Sequence, residues 1–307
     1  MTGRVQFVVV GDANLDVTVT APRTVTTGGD APATIKLGAG GQGANVAVRL
    51  ARAGALVRLA AAVADDGPGH ILRDALNSAG VTLGALPAER TGVIVILLSV
   101  AGERSMLSDR TPIDPRAMTD GSLAAALDPA DWVHVSGYAL RDEHSGQALA
   151  GLLGGLPSST RRSIGGGSFG ADGPAVSARL RRVGVDLLVV SRTEAEALTG
   201  TTGSAADLAG ALSLAAGVTV VTDGAAGSAA AGPGWQAAVP ARELGDMRDA
   251  TGAGDAYVAG LIRDLSAGPW PPSRDQMARA MAVAASLGAE VTGVVGAQAP
   301  VASEARG

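Results

Sequence analysis

The chain has 307 residues, 47% hydrophobic and 17% charged, with 24 basic against 29 acidic side chains and a net charge of −5. With no long run of either sign, neither a nucleic-acid tract nor a basic membrane patch is expected, and with no cysteine there is no disulfide framework, thiolate nucleophile or cysteine-ligated metal. The N-terminal apolar run is too short for a signal peptide and no window offers the roughly 20 apolar residues of a membrane span, so a cytoplasmic protein without a membrane partner is expected.

VQFVVVGD (5–12) reads as a buried strand, an unbroken apolar run closed by a turn. LDVTVTAP and ATIKLGAG alternate apolar with polar residues, as half-exposed antiparallel strands do. GANVAVRLARAG has helical spacing and stops at Gly54, and VRLAAAVADD is the following strand. TGVIVILLSVAGERSMLSD adds two strands around an Ala-Gly-Glu-Arg turn. From residue 130, strand and helix signals alternate through DWVHVSG, HSGQALAGLLGG, DLLVVS, TEAEALTG, DLAGALSLAAG, VTVVTDG and YVAGLIRDLSAG. That rhythm predicts a parallel sheet covered by helices on both faces. SIGGGSFGADGP (163–174) is expected to be a loop after a short strand. One α/β domain over 1–307 is expected, with a small β lid from inserted segments at about 15–39 and 90–112.

DATGAGDAY (249–257) carries the chemistry. Free N–H groups at a helix start form an anion site, and Gly252 and Gly254 let the backbone approach the anion. Asp255 in the first turn would sit beside that anion, an awkward place for a carboxylate unless it takes a proton from an attacking hydroxyl. The bland alternative is a helix-capping acid. A second glycine turn, GGQGANVA (40–47), also opens a helix and carries Asn45. Gly11-Asp12-Ala13-Asn14-Leu15-Asp16 ends the first strand with an amide and two acids. In a parallel sheet such loops converge on one crevice, where Asn14, Asp16 and Asn45 suit a polyol; each alone is as readily a turn residue.

The paired motifs GGQGANVA and DATGAGDA resemble the signatures of the ribokinase-like (PfkB-type) carbohydrate kinases, and the resemblance spans nearly the whole chain. It implies a three-layer α/β/α domain with a central, mostly parallel sheet and a β-sheet lid, and ATP-dependent phosphorylation of a sugar-like hydroxyl. By that resemblance Asp255 is the base, and the backbone of Gly252, Ala253 and Gly254 is the anion hole. Asn14, Asp16, Gly41, Gln42 and Asn45 hold the substrate, while Thr222, Gly224 and Gly227 line the ATP side. Glu194 acts through Mg²⁺ and its waters, and Asp249 holds a monovalent cation, K⁺, in relatives. The loop GVVGAQAP (293–300) resembles the one that completes the cation site. Lid strands of the family often pair across a homodimer, and the apolar VIVILLSV run fits such a partner.

Three positions depart from the pattern: Gln42 stands where Lys is frequent, Ser191 where Asn is expected, and Gly165-Gly166-Gly167-Ser168 replaces an Asp-Pro-Asn-like segment. Arg110, at the end of a lid strand, has two readings: a contact to an anionic or hydroxyl-rich substrate, or a solvated surface arginine. The histidines at 70, 134 and 144 lack metal-ligand spacing. The few aromatics favour a sugar over a base, because bases usually stack on rings. A nucleoside kinase of the same fold and a non-catalytic nucleotide- or sugar-binding relative stand as alternatives.

Overall fold

The computed structural model describes residues 5–21, 28–98, 104–213, 216–242, 245 and 247–301. Parts of the expected lid segments, residues 22–27 and 99–103, the latter including most of the Ala-Gly-Glu-Arg turn, lie outside the described residues. Among those described, the strands are β1 (Gln6–Val10), β2 (Asn14–Thr20), β3 (Thr34–Gly40), β4 (Leu56–Ala62), β5 (Thr82–Leu86), β6 (Gly92–Leu98), β7 (Arg104–Asp109), β8 (Trp132–Val135), β9 (Arg161–Ile164), β10 (Val185–Ser191), β11 (Ala216–Thr222), β12 (Ser228–Gly232) and β13 (Trp235–Val239). The large sheet runs β13-β12-β11-β10-β9-β8-β1-β4-β5. It is parallel from β11 to β5, and β12 and β13 add an antiparallel edge.

Alternation along β1 divides the core. Phe7 and Val9 join one buried cluster with the helices Gln42–Arg52, Ala253–Leu265 and Arg274–Thr292. Val8 and Val10 join the other, with Glu143–Gly154, Gly173–Val183 and Ala205–Leu212. A strand apolar on both faces needs a helical layer on each side, so this is a three-layer α/β/α fold, as the resemblance implies. The lid is a four-stranded sheet, β3-β2-β6-β7. β2 pairs antiparallel with β3, as their alternation predicts, but parallel with β6.

Because side chains alternate across a strand, the lid register defines its two faces. Leu37, Val17, Val95 and Leu107 lie in one cross-strand row, with Ile35, Val19 and Leu97 in the next row of the same face. Ile35, Leu37 and Leu107 on that face are 61%, 54% and 64% exposed. The opposite face carries Asp16 and the buried Ile94 and Ile96.

Candidate active site

The loops that follow β1, β8, β9, β10 and β11 leave the carboxyl edge of the parallel sheet, the usual place for a ligand crevice in this architecture. Two backbones meet there. A Cβ on Gly43 would lie 2.9 Å from Gly11 Cα, and one on Gly11 would lie 3.0 Å from Gly43 Cα and 2.6 Å from Ser136 Cβ. Only glycine at both positions allows the end of β1 and the start of the Gln42–Arg52 helix to approach this closely. The Gly43 N–H reaches Asp12 Oδ1 at 3.4 Å, and the Ala44 N–H donates to the Asp12 carbonyl at 3.2 Å.

The second glycine motif docks on the first. Gly252 takes a positive φ of 78° and caps the helix Ala253–Leu265, with Asp255 in its first turn. The Ala253 N–H bends back to the Ala250 carbonyl at 3.3 Å. Asn45 Nδ2 donates to Asp255 Oδ2 at 2.7 Å, joining motifs 210 residues apart. Burial pushes the Asp255 carboxyl up to about 7; the Asn45 hydrogen bond opposes that rise, the negative Asp12 reinforces it, and Gln42 and Arg49 again oppose it. The residue is half-buried, and partial removal from water disfavours the charged form, so its titration lies close to neutral pH.

Asp12 is the second hub. Its Oδ1 accepts from Ser136 Oγ at 3.1 Å, and its Oδ2 accepts from Asn14 Nδ2 at 3.3 Å and from Arg110 Nη1 at 2.6 Å. Ser136 Oγ also reaches Gln42 Oε1 at 2.5 Å. Arg110 lies 4.5 Å over the Tyr138 ring with its side chain 32% exposed, so it is a crevice residue and not the solvated surface arginine of the alternative reading. Arg110, Asp12 and Tyr138 line a cavity of about 300 Å³ with Ile113 and Arg141. Asn14 is buried at the root of β2, and Asp16, two residues on, packs against Gly40, where a Cβ would fall about 2.1 Å from its carboxylate. Gly41, with φ 97°, is the N-cap of the Gln42–Arg52 helix.

Glu194 lies further along the same edge. Its Oε1 accepts the N–H groups of Gly167 and Ser168, both at 2.7 Å, and its Oε2 accepts the Ser191 N–H at 2.9 Å and Ser191 Oγ at 2.8 Å. A Cβ on Gly166 would overlap that carboxylate at 2.2 Å. The departures at 165–168 and 191 are therefore one feature: small residues wrap donors around Glu194. Four protein donors therefore meet its two carboxylate oxygens, and among the described residues no group of three or more His, Cys, Asp or Glu could hold a metal. Thr222 ends β11, and Gly224 and Gly227 lie in the turn to β12.

Asp249 ties its own turn to the C-terminal loop. Its Oδ1 accepts the Thr251 N–H at 2.9 Å, and its Oδ2 accepts the Gly296 N–H at 2.9 Å. His134 is buried in β8, where desolvation lowers it to about 3, and its Nδ1 meets Ser163 Oγ at 3.0 Å.

The structure thus links Asn14, Gln42, Asn45, Arg110 and Asp255 in one hydrogen-bonded network with Asp12 and Ser136. Asp12 was visible in sequence only as one acid of a turn, and a Gly-Asp pair closing a buried strand is the signal that marks it. Ser136 and Arg49 carry no comparable local signature.

A Ribokinase-like sheet with a β lid, and two glycine-opened helices meeting at a carboxylate, define the class of a sugar-kinase fold. The pfkB family carbohydrate kinase model matches residues 5–304, and the chain belongs to that family. It is 30% identical over 283 residues to a fructokinase from Klebsiella pneumoniae, covering 84% of this chain and 87% of that one. Among solved structures it resembles ribokinase from Giardia lamblia, with a TM-score of 0.80, 19% identity and 98% of each chain covered. It also resembles a double mutant of fructokinase from Vibrio cholerae O395 bound to fructose, ADP and potassium ion, with a TM-score of 0.76, 24% identity, and 96% of this chain and 94% of that one covered.

Proposed function

We propose that the chain, read as one kinase domain with its lid, transfers the γ-phosphoryl group of ATP to a hydroxyl of a small sugar or sugar derivative. The observation that carries this reading is the 2.7 Å contact of Asn45 with Asp255, which sets a carboxylate where the two glycine-opened helices meet. With its pKa near 7, Asp255 is matched to a general base at neutral pH. It takes the proton as the hydroxyl oxygen bonds to the γ-phosphorus and the bond to the bridging oxygen breaks, releasing ADP. The backbone at 252–254 meets the developing charge. Asn14, Asp16, Gly41, Gln42, Asn45 and Arg110 hold the acceptor, and Thr222, Gly224 and Gly227 line the nucleotide side. Mg²⁺ would arrive with the nucleotide and neutralise phosphate charge, and Glu194, which also keeps the 165–168 loop in place, would act on it through its waters. Asp249 with the 293–300 loop is the proposed seat for K⁺, the ion bound by the Vibrio cholerae relative.

A lid homodimer is part of the proposal, supported by the apolar face of Leu37, Val17, Val95, Leu107, Ile35, Val19 and Leu97. An aliphatic sheet face of that size left in water is a liability that a second copy removes. No described helix is long and apolar enough to cross a membrane.

An ADP-release assay with fructose, ribose, adenosine, inosine and pseudouridine, with and without K⁺, tests the reading. Turnover with a sugar and its loss in Asp255→Asn are expected. Full activity of Asp255→Asn would end the base assignment, and turnover only with nucleosides would end the preference for sugars.

A further inference from the structure

We propose that Gln298 is a positioning residue for the base: by donating to Asn45 it dictates which atom of that amide faces Asp255. The inference rests on reading Asp255 as the base, and its geometry is a chain of donors and acceptors with one consistent solution. An ionised carboxylate only accepts. Asn45 must therefore turn Nδ2 toward Asp255, at 2.7 Å, which leaves its Oδ1 facing away. The group that meets that oxygen is Gln298 Nε2, at 3.0 Å. An acceptor in that place would reward the opposite flip and bring Asn45 Oδ1 against the carboxylate.

Gln298 is itself held in place. Its carbonyl accepts Arg52 Nη1 at 2.6 Å, and the preceding carbonyl, of Ala297, accepts Arg49 Nη2 at 2.5 Å. Arg49 and Arg52 stand three residues apart on the Gln42–Arg52 helix, and Asn45 stands one turn before Arg49. Residues at that spacing share a helix face. Arg49 is 1% exposed, and a guanidinium removed from water is tolerated where it meets fixed acceptors. On its other side Ala297 packs against Gly252, where a Cβ would lie 2.7 Å from the Ala297 Cβ. The 297–298 segment therefore takes its position from both the helix that carries Asn45 and the turn that carries Asp255.

Three residues of that helix bear on Asp255: Gln42, Asn45 and Arg49. The loop after β1 contributes Asp12, which is paired with Arg110 from the lid. Of these, Gln42 and Asn45 carry amides whose donor a flip would exchange for an acceptor; Ser136 Oγ holds the Gln42 oxygen at 2.5 Å, and Gln298 holds that of Asn45.

The test is Gln298→Leu in the full chain, which keeps bulk and removes the donor. The titration of Asp255 is followed in the resting protein by carboxyl-carbon NMR, its resonance assigned with Asp255→Asn. The midpoint is expected to rise by about one pH unit, the scale of one weakened hydrogen bond to a charged group. At pH 7 kcat is expected to fall severalfold with KM for ATP unchanged, while Tm moves by no more than about 2 °C. Gln298→Glu, a near-isosteric acceptor, should raise the midpoint further, and it carries the same readout if the leucine variant does not fold. An unmoved midpoint in either folded variant overturns the proposal, as does a loss of kcat that follows a loss of Tm alone. Activity retained in Asp255→Asn would refute the base assignment instead, and the NMR midpoint would still decide the Gln298 relay.

Discussion

Replacing Asp255 by asparagine should stabilise the folded chain at alkaline pH while it abolishes turnover. The carboxyl is raised from 3.8 to about 7, first by burial and then by the charge of Asp12. A carboxyl whose folded pKa lies above its unfolded value binds its proton more tightly when folded. Stability therefore falls as pH rises from about 4 to about 7, and the whole penalty is present above that window. A shift of about three units corresponds to ~4 kcal/mol. The residue keeps partial contact with solvent, whose screening brings the expected gain for the neutral isostere to ~2 kcal/mol at pH 8. For a chain of this size that is a rise in Tm of about 3 °C. Urea unfolding and thermal melts of both proteins at pH 4, 6 and 8 would measure it, with the gain growing toward pH 8 and vanishing near pH 4. A gain that is equal at all three values, or absent at pH 8, would refute the claim that the site stores an unfavourable charge.

Other perturbations probe separate parts of the crevice. The acid limb of the kcat profile should fall near pH 7, and Asp12→Asn, which removes a negative neighbour of Asp255, should move that limb to lower pH; a limb displaced upward contradicts the electrostatics. Arg110→Ala removes the partner of Asp12 and the cation over Tyr138, so a rise of about tenfold in KM for the sugar is expected without change in KM for ATP. Leu107→Glu sets a charge in the exposed lid row; sedimentation should show a monomer where the parent chain is a dimer, and an unaltered assembly rules out that face. Gly166→Ala drives a methyl into the Glu194 carboxylate, so it should lower Tm and weaken ATP binding together, as differential scanning and nucleotide titration would report.

Much of the fold could be read before any coordinates, because its signals are local. VQFVVV and DLLVVS are apolar on both faces and became β1 and β10, and both glycine motifs opened helices where N-terminal chemistry places them. The helix Arg274–Thr292 was not anticipated: its alanine-rich stretch has little contrast between faces, although its Ser273–Gln276 capping box is a legible start. The site was legible where it depended on motif residues and opaque where it depended on pairing. Arg110 meets Asp12 across 98 residues, and Gln298 meets Asn45 across 253. No periodicity or turn chemistry carries such information. Glu194 shows the same division: its place in the chain matches a metal-side residue, but the four protein donors that Ser191 and the 165–168 loop bring to its carboxylate could not be read from that place.

The contact of Gly11 with Gly43 divides the site into a part that can drift and a part that cannot. The frame around Asp255 rests on main chain pressed against main chain, so almost any side chain introduced at either glycine dislodges both helix start and strand end together. Asp16 and Arg110 hang instead from β2 and the end of β7, on a sheet with its own register. On the proposed function, descendants of this chain could exchange acceptors by rewriting the lid, one side chain at a time, while inheriting the frame around Asp255 unaltered.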